Sequence, residues 1–406
     1  MATTTFDATD DLPVATGTYV PGRAGIAAAV IVLAAWYLWT AISWRQGALF
    51  IVGAAAGVVL YHAAFGFTSS WRVFISDRRG AGLRAQMVML AVTCAVFFPL
   101  LAGGTLFGQP LRGSVSPAGV GVVAGAFLFG LGMQLGGSCA SGTLFGVGGG
   151  STRMLITLAF FIVGSLVGTA HTAWWNAQPA FAAASIVTVF GPWLALAVSL
   201  AFFGGIVALT RVAERKRHGR LLEDPASSNS RWLNGPWPLV AGAVGLAFVN
   251  IATLAIGGRP WGVTSAFALW GAKAYGAIGG GVATWPYWNA PAQATALTSS
   301  VLLDVTSVMD FGIILGALMA AMLAGRFAPV WQISGRSLAA AVIGGLLLGY
   351  GARIAYGCNI GAYFSGIASG SLHGWLWLVA AFAGNVAGTS LRPMFDLKVE
   401  KTQTAC

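Results

Sequence analysis

The sequence predicts an all-α polytopic membrane protein of about ten transmembrane helices. Two inverted pseudo-symmetric repeats carrying short re-entrant half-helices make up most of it. Three observations lead there. The chain is 57% hydrophobic and only 8% charged over 406 residues, against about 25% charged in soluble domains. Apolar runs of spanning length follow one another from residue 25 almost to the end. Two distant stretches, GGSCASGTLFGVGGGS over 136–151 and AYGCNIGAYFSGIASGS over 355–371, interrupt those runs in the same way.

A helix needs about 20 apolar residues to cross the hydrocarbon core. Runs near 25–43, 48–64, 86–103, 119–135, 153–173, 183–210, 236–256, 297–323, 335–352 and 371–391 meet or approach that length, in keeping with a mean hydropathy of +0.78. Shorter pieces near 67–76, 139–148, 262–272 and 358–367 are bounded by glycine and too short to cross. They read as half-helices that dip in and return. Residues 1–24, polar and acidic with Pro13 and Pro21, read as a disordered tail. Residues 25–47 hold an additional N-terminal helix, 48–175 a first repeat, 176–235 a linking helix and basic cytoplasmic loop, 236–393 a second repeat and 394–406 a C-terminal tail.

Basic residues fix the orientation. The densest clusters are TRVAERKRHGR over 210–220 and SDRRGAGLR over 76–84. With ten crossings and a cytoplasmic N-terminus both clusters fall inside, as do Arg153, Arg326, Arg336, Lys398 and Lys401. Only Arg112, Arg259 and Lys273 fall outside, and both termini are cytoplasmic. The net charge of +11 is then a topology signal and not a nucleic-acid patch.

Self-similarity is the strongest pattern. Aligning Cys139 with Cys358 also matches Gly125 with Gly344, Gly130 with Gly349, Gly132 with Gly351 and Gly142 with Gly361. A one-residue shift continues it through Ser151 and Ser371 to Thr169 and Thr389. Upstream, FGFTSSW over 65–71 matches WGVTSAF over 261–267. Five crossings separate equivalent points, and an odd number inverts one half against the other. Inverted repeats place a site near the midplane, lined by broken helices.

Irregular backbone at membrane depth survives only when buried in protein or lining a wet cavity. In GGSCASG, Ser138 is positioned to cap a short helix after Gly137, and a helix N-terminus with free N–H groups suits an anion. Gly357, Cys358 and Asn359 present the same feature from the other half. Two such ends meeting at a waist describe a narrow constriction that tolerates anions. A neutral thiol is soft and only a weak donor, so it accepts a sulfur atom without a competing charge. The plain alternative for any buried cysteine is a small apolar residue. It suits Cys94 and Cys406 better than the matched pair.

Thr68 and Ser69 in one half, and Thr264 and Ser265 in the other, either line the path or bond helix backbone. Arg72 and Lys273 are candidates for gathering anions, with membrane anchoring as the alternative for Arg72. Arg353 is a further electrostatic candidate, against simple snorkelling. Asp304 and Asp310 fall in an expected span, where carboxylates are expensive and often functional. They are candidates for carrying protons, for pairing with Arg353 or Lys273, or for helix capping. The histidines form no ligand spacing and no C-x-x-C occurs, so neither a metal site nor a cofactor is expected. No G-x-x-x-x-G-K-[ST] motif is present, which argues against ATP hydrolysis by this chain.

The stretches GFTSSWR, GAGLRAQMVML, GMQLGGSCASGTL, WGVTSAFALWGAK and GARIAYGCNIGAYFSGIASGSLHGW resemble, in this order, the YeeE/YedE family of sulfur-transport proteins. The resemblance covers most of residues 48–392. It implies an hourglass of two halves with a nine-span core in a bacterial cytoplasmic (inner) membrane, the helix near 25–43 being an addition. It further implies that thiosulfate passes along cysteines through S–H···S contacts, and those cysteines map to Cys139 and Cys358. Thiosulfate-transporting relatives carry a further cysteine in the early Gly-Phe motif, where this chain has Gly66. The leading expectation is therefore a permease, not an enzyme, for thiosulfate or a related sulfur-containing anion. Its partners are that anion, the lipid bilayer and a cytosolic sulfur-carrier protein, with no nucleic acid. Two alternatives stand beside it: a membrane sulfurtransferase carrying a persulfide, and a permease for another small ion such as sulfite or a selenium species.

Overall fold

The computed structural model describes residues 21–221, 232–327, 329 and 331–400. Most of the expected tail, with Lys401 and Cys406, lies outside them. Among the described residues ten helical segments are long and apolar enough to cross a bilayer. This is a multi-pass helical membrane protein. Its strands are two-residue pairs in the loops, Thr105–Leu106 with Gln109–Pro110 and Ala118–Gly119 with Ala180–Phe181.

Helix α1 spans Pro21–Tyr37 and ends in a π-helical turn, Leu38–Ile42. It starts four residues before the expected tail boundary. Then come α2 (Trp44–His62), the short α3 (Phe67–Asp77) and α4 (Ala81–Gly103). After a loop follow α5 (Val120–Gly136), the short α6 (Ala140–Gly148), α7 (Thr152–Ala170) and α8 (Thr172–Asn176). Helix α9 (Ile186–His218) kinks at Gly191–Pro192 and carries the basic cluster as helix through His218, where the sequence reads as a loop. Its last turns are held by ion pairs: Arg84 meets the fully buried Glu214, and Arg217 and His218 lie beside Asp77.

There follow α10 (Leu239–Gly257) and the short α11 (Thr264–Ala277). Next are α12 (Pro291–Thr298), α13 (Val305–Leu323) and α14 (Gly335–Ile354). A π-helical turn, Asn359–Phe364, runs into α15 (Ser365–Ala368), and α16 (Leu372–Leu391) closes the chain. The span expected over 297–323 starts only at Val305. Asp304 caps it, its Oδ2 accepting from the backbone N–H and hydroxyl of Ser307 at 2.8 and 2.7 Å. Asp304 thus stands at a helix start, ahead of the span, while Asp310 is inside it.

Packing partners exchange between the halves. Helix α2 packs on α13 as α10 packs on α4, and α5 packs on α16 as α14 packs on α7. The equivalent helices α5 and α14 meet each other antiparallel: Gly125 lies against Gly351, and Gly132 against Gly344 and Leu348. A methyl group on Gly132 would stand 2.9 Å from the Gly344 carbonyl oxygen, so only glycine permits this approach. Equivalent α2 and α10 are also antiparallel, with Val59 against Gly245 and Leu49 against Gly257. Helices α1 and α9 are peripheral and turn Trp36, Phe190, Trp193 and Phe202 outward.

Candidate functional site

The two Gly-Cys stretches meet in the core, where α6 packs against the Asn359–Phe364 turn. Each cysteine ends an extended segment and starts a helix. Cys139 has φ −87°, ψ −173°, and Cys358 has φ −101°, ψ −167°. Each follows a glycine of positive φ, Gly137 at 89° (with Ser138 between) and Gly357 at 151°. Both thiols are buried, 2% and 0% exposed. The Cys139 carbonyl accepts from the backbone N–H and hydroxyl of Thr143, both at 2.8 Å. The Cys358 carbonyl accepts from Ala362 N–H at 2.8 Å and Tyr363 N–H at 3.3 Å, the i+5 bond of a π turn. The Cys139 sulfur lies 3.5 Å from the Ser141 hydroxyl. The site is therefore two buried sulfurs, each at the start of a helix.

The halves differ in what stands before each helix start. Ser138 does not cap the helix; Cys139 takes that position, and the Ser138 hydroxyl donates to the Cys139 carbonyl at 3.2 Å. That hydroxyl fills the space a side chain at Gly142 would need, whereas the matching space at Gly361 is open. Gly361 is part-exposed inside an otherwise buried stretch. The loop 111–118 reaches over it, Ser114 Oγ donating to the Gly361 carbonyl at 3.0 Å. A cleft of about 500 Å³ lined by Pro117, Trp175, Asn176 and Tyr356 opens two residues from Cys358.

Asn359, next to Cys358, is fully buried, and neither its amide nitrogen nor its oxygen has a hydrogen-bond partner among the described residues. Buried polar groups are nearly always bonded, which sets this amide apart from its surroundings. Asp310 is likewise fully buried with both oxygens unpartnered among the described residues. Thr68 is buried with its hydroxyl in the same condition, while Ser69 donates to the Gly66 carbonyl at 3.3 Å. In the other half Thr264 is buried and Ser265 bonds Thr306 at 3.0 Å. Lys273 donates to the carbonyls of Leu297 and Ser299 at 2.7 and 2.6 Å, closing the end of α12. Arg353 bonds the Tyr287 hydroxyl at 3.0 Å and lies over its ring. Asp304 pairs at 3.8 Å with Arg259 instead of Arg353 or Lys273. Arg72, in α3, is 3% exposed and ion-paired to Glu400.

Several supporting residues carry no sequence signal of their own. Arg153 donates to the carbonyls of Gly136 and Leu135 at 2.9 and 2.6 Å, and Thr157 also reaches Gly136. They hold the carbonyl end of α5 three residues before Cys139. Trp377 does the same for the other half, donating to the Gly357 carbonyl at 3.2 Å. Gln86 accepts from Trp71 at 2.9 Å and from Tyr363 at 3.4 Å, locking a buried aromatic cluster beneath the second stretch. Cys94 packs there too, 3.9 Å from the Ile367 carbonyl. Among the described residues no group of His, Cys, Asp and Glu could hold a metal ion.

Ten apolar helical segments make this a multi-pass membrane protein. A profile described as sulphur transport matches residues 62–387, and the chain belongs to that family. The probable transporter YedE of Escherichia coli (strain K12) is 30% identical over 171 residues, 42% of each chain. The match thus spans less than half the length of that relative. The thiosulfate transporter TsuA of Spirochaeta thermophila is 26% identical over 355 residues, 82% of this chain and 95% of that one.

Proposed function

We propose that this protein is a permease of the bacterial inner membrane that takes up thiosulfate or a closely related sulfur anion. The observation that carries the reading is the fully buried Asn359 amide beside Cys358, without a hydrogen-bond partner among the described residues, on a turn that packs against the helix begun by Cys139. Thiosulfate has a soft terminal sulfur and hard oxygens. The thiols offer the sulfur a polarizable contact without charge, and the helix-start N–H groups and the Asn359 amide offer the oxygens donors. The similarity to a thiosulfate transporter along most of the chain supports the same substrate.

The antiparallel meeting of α5 with α14 and of α2 with α10 supports two inverted repeats, with the path between them. Contacts among Arg84, Glu214, Asp77, His218, Arg336 and Asp396 tie up the basic helix ends, the side that positive-inside bias makes cytoplasmic. Sulfur transfer through a persulfide needs a reachable thiolate. Thiols 2% and 0% exposed argue for passage over group transfer.

The test is uptake of radiolabelled thiosulfate into proteoliposomes, competed by sulfate, sulfite and selenium analogues. Saturable uptake blocked by unlabelled thiosulfate and lost in Cys139→Ala or Cys358→Ala is the expected result. Full uptake in both variants would end the thiol-relay reading. Selective competition by sulfite or a selenium species would reassign the substrate. A persulfide found on either cysteine by mass spectrometry during turnover would favour the sulfurtransferase.

A further inference from the structure

Two buried arginines hold the C-terminal segment, Arg72 by the Glu400 carboxylate and Arg392 by the backbone of Lys398. Arg72 Nε and Nη2 donate to Glu400 Oε2 and Oε1 at 2.7 and 2.5 Å, a bidentate fork. Arg392, 2% exposed at the end of α16, adds its charge to the same carboxylate. Its Nε also holds the chain that presents Glu400, donating to the Lys398 carbonyl at 2.8 Å. Its Nη1 donates to the Gln134 carbonyl at 2.7 Å, five residues before Cys139. The Gln134 amide in turn donates to the Thr68 carbonyl at 3.3 Å and to Asn385 Oδ1 at 2.6 Å. One polar network thus runs from the approach to Cys139 to the C-terminal segment.

The identity of the occupant is the informative part. A buried arginine in a membrane helix needs a counter-charge. Here the counter-charge comes from a residue 328 positions away, on the irregular segment 397–400 and not on a packed helix. Burial pushes the Glu400 carboxyl up, but the Arg72 hydrogen bonds and the charges of Arg72 and Arg392 outweigh it and hold the group below its ordinary value. It is therefore ionised at cytosolic pH. Two carboxylate oxygens in a guanidinium fork occupy the geometry that two oxygens of a sulfur oxoanion would take.

We propose that Arg72 and Arg392 form an oxoanion-binding site at the inner end of the path, and that Glu400 is its tethered resting occupant, displaced by the anion that leaves the first Gly-Cys stretch. This rests on the permease reading for the direction of traffic, not for the existence of the site. A tether of this kind holds its ligand at a local concentration of about 1 mM. If Glu400 and the anion each bind the bare site with a dissociation constant of about 0.1 mM, the anion therefore competes at roughly a tenfold disadvantage. The tail acts as a valve: it closes the site to weak occupancy and opens under load.

The experiment uses the full chain in lipid nanodiscs with trypsin, following cleavage after Lys398 by mass spectrometry. Sodium thiosulfate, sodium sulfate and sodium chloride are compared at matched ionic strength, against a reporter peptide for trypsin itself. In the wild type Lys398 is cut slowly, and thiosulfate or sulfate at 10 mM, about ten times the local tether concentration, speeds cleavage at least fivefold over chloride. Glu400→Gln is cut fast in every salt, and its uptake half-saturation falls about tenfold. Arg72→Gln is also cut fast and insensitively; if it fails to fold, the Glu400→Gln variant still decides. Cleavage that is equal in all three salts, or no faster in Glu400→Gln, overturns the site. Oxoanion-dependent cleavage in a protein that transports no thiosulfate would keep the site and reject the permease; thiosulfate uptake with salt-blind cleavage would do the reverse.

Discussion

Replacing Asn359 by alanine separates a ligand arm from a scaffold residue. The alanine copies the first half, where Ala140 follows Cys139. Both polar atoms of the Asn359 amide are buried without partners among the described residues, and such a group costs the fold about 1–3 kcal/mol. Removing it relieves that cost and leaves an amide-sized cavity, which at about 24 cal/mol per Å³ costs under about 1 kcal/mol. The variant should therefore be as stable as the wild type or up to about 2 kcal/mol more so. Transport should move the other way. A hydrogen bond to a charged group contributes about 1.5–3 kcal/mol, so the half-saturating thiosulfate concentration should rise roughly 10- to 150-fold. The assays are thermal unfolding in detergent by tryptophan fluorescence and uptake into proteoliposomes. A fall in Tm of several degrees with unchanged half-saturation would show that Asn359 is scaffold and refute the argument.

The other predictions address the thiols, the helix contacts and the tail. Cys139→Ser and Cys358→Ser keep the shape but replace soft sulfur with hard oxygen; each should lower uptake more than about tenfold with Tm unchanged, measured on the same vesicles. Gly344→Ala would place a methyl group 2.6 Å from the Gly136 Cα. It should cost about 1–3 kcal/mol in unfolding and abolish uptake by parting α5 from α14, while Gly103→Ala, which meets nothing within 4 Å, changes neither. Glu214→Ala leaves Arg84 without its buried partner and should destabilise by about 3 kcal/mol in chemical unfolding. For Glu400 the sign follows from a depressed value: the tail's anchoring is complete above the ordinary carboxyl value of 4.5 and lost as pH falls through the lower one. Hydrogen exchange across 397–400, corrected for intrinsic rates, should rise only at pH below 4.5.

Hydropathy and glycine spacing made most of the fold legible. Helices occupy all the expected spans, and the four short pieces overlap helical segments over 67–77, 140–148, 264–277 and 359–368. The periodicity reports how much lipid a segment meets, so it overran at Asp304, where a capping carboxylate and not a change in hydropathy starts α13. It also stopped α9 too early, because Arg84 and Asp77 hold the polar turns around Glu214 and His218 as helix. The cysteines, Asn359 and Arg72 stood out by residue type in an apolar setting. Arg153, Trp377, Arg392 and Glu400 did not. Their roles lie in partners far along the chain, as when Arg392 reaches Gln134 across 258 positions, and a single sequence holds no trace of such pairings. Arg153 reads as a loop anchor by the positive-inside rule, yet its guanidinium turns inward to the carbonyls that end α5.

The departures from symmetry between the two thiol sites follow from one backbone angle. At Gly357 φ is 151°, and a side chain there would stand 2.8 Å from the Ala362 nitrogen, so no residue but glycine serves. The counterpart of Ser138 cannot exist in the second half, and the space before Gly361 stays open where Ser138 closes it before Gly142. With no hydroxyl on the residue before Cys358, the polar neighbour in the same motif is the residue after it, Asn359 in place of Ala140. The π turn follows from the same crowding: Tyr363 N–H joins Ala362 N–H on the Cys358 carbonyl, swinging Asn359 and Gly361 relative to an α-helical start. Two identical copies of one motif would present the same groups beside each thiol. A bare, amide-armed cup at Cys358 and a hydroxyl-filled one at Cys139 do not, and on the permease reading this difference makes the first the receiving site and the second the step toward Arg392 and Arg72.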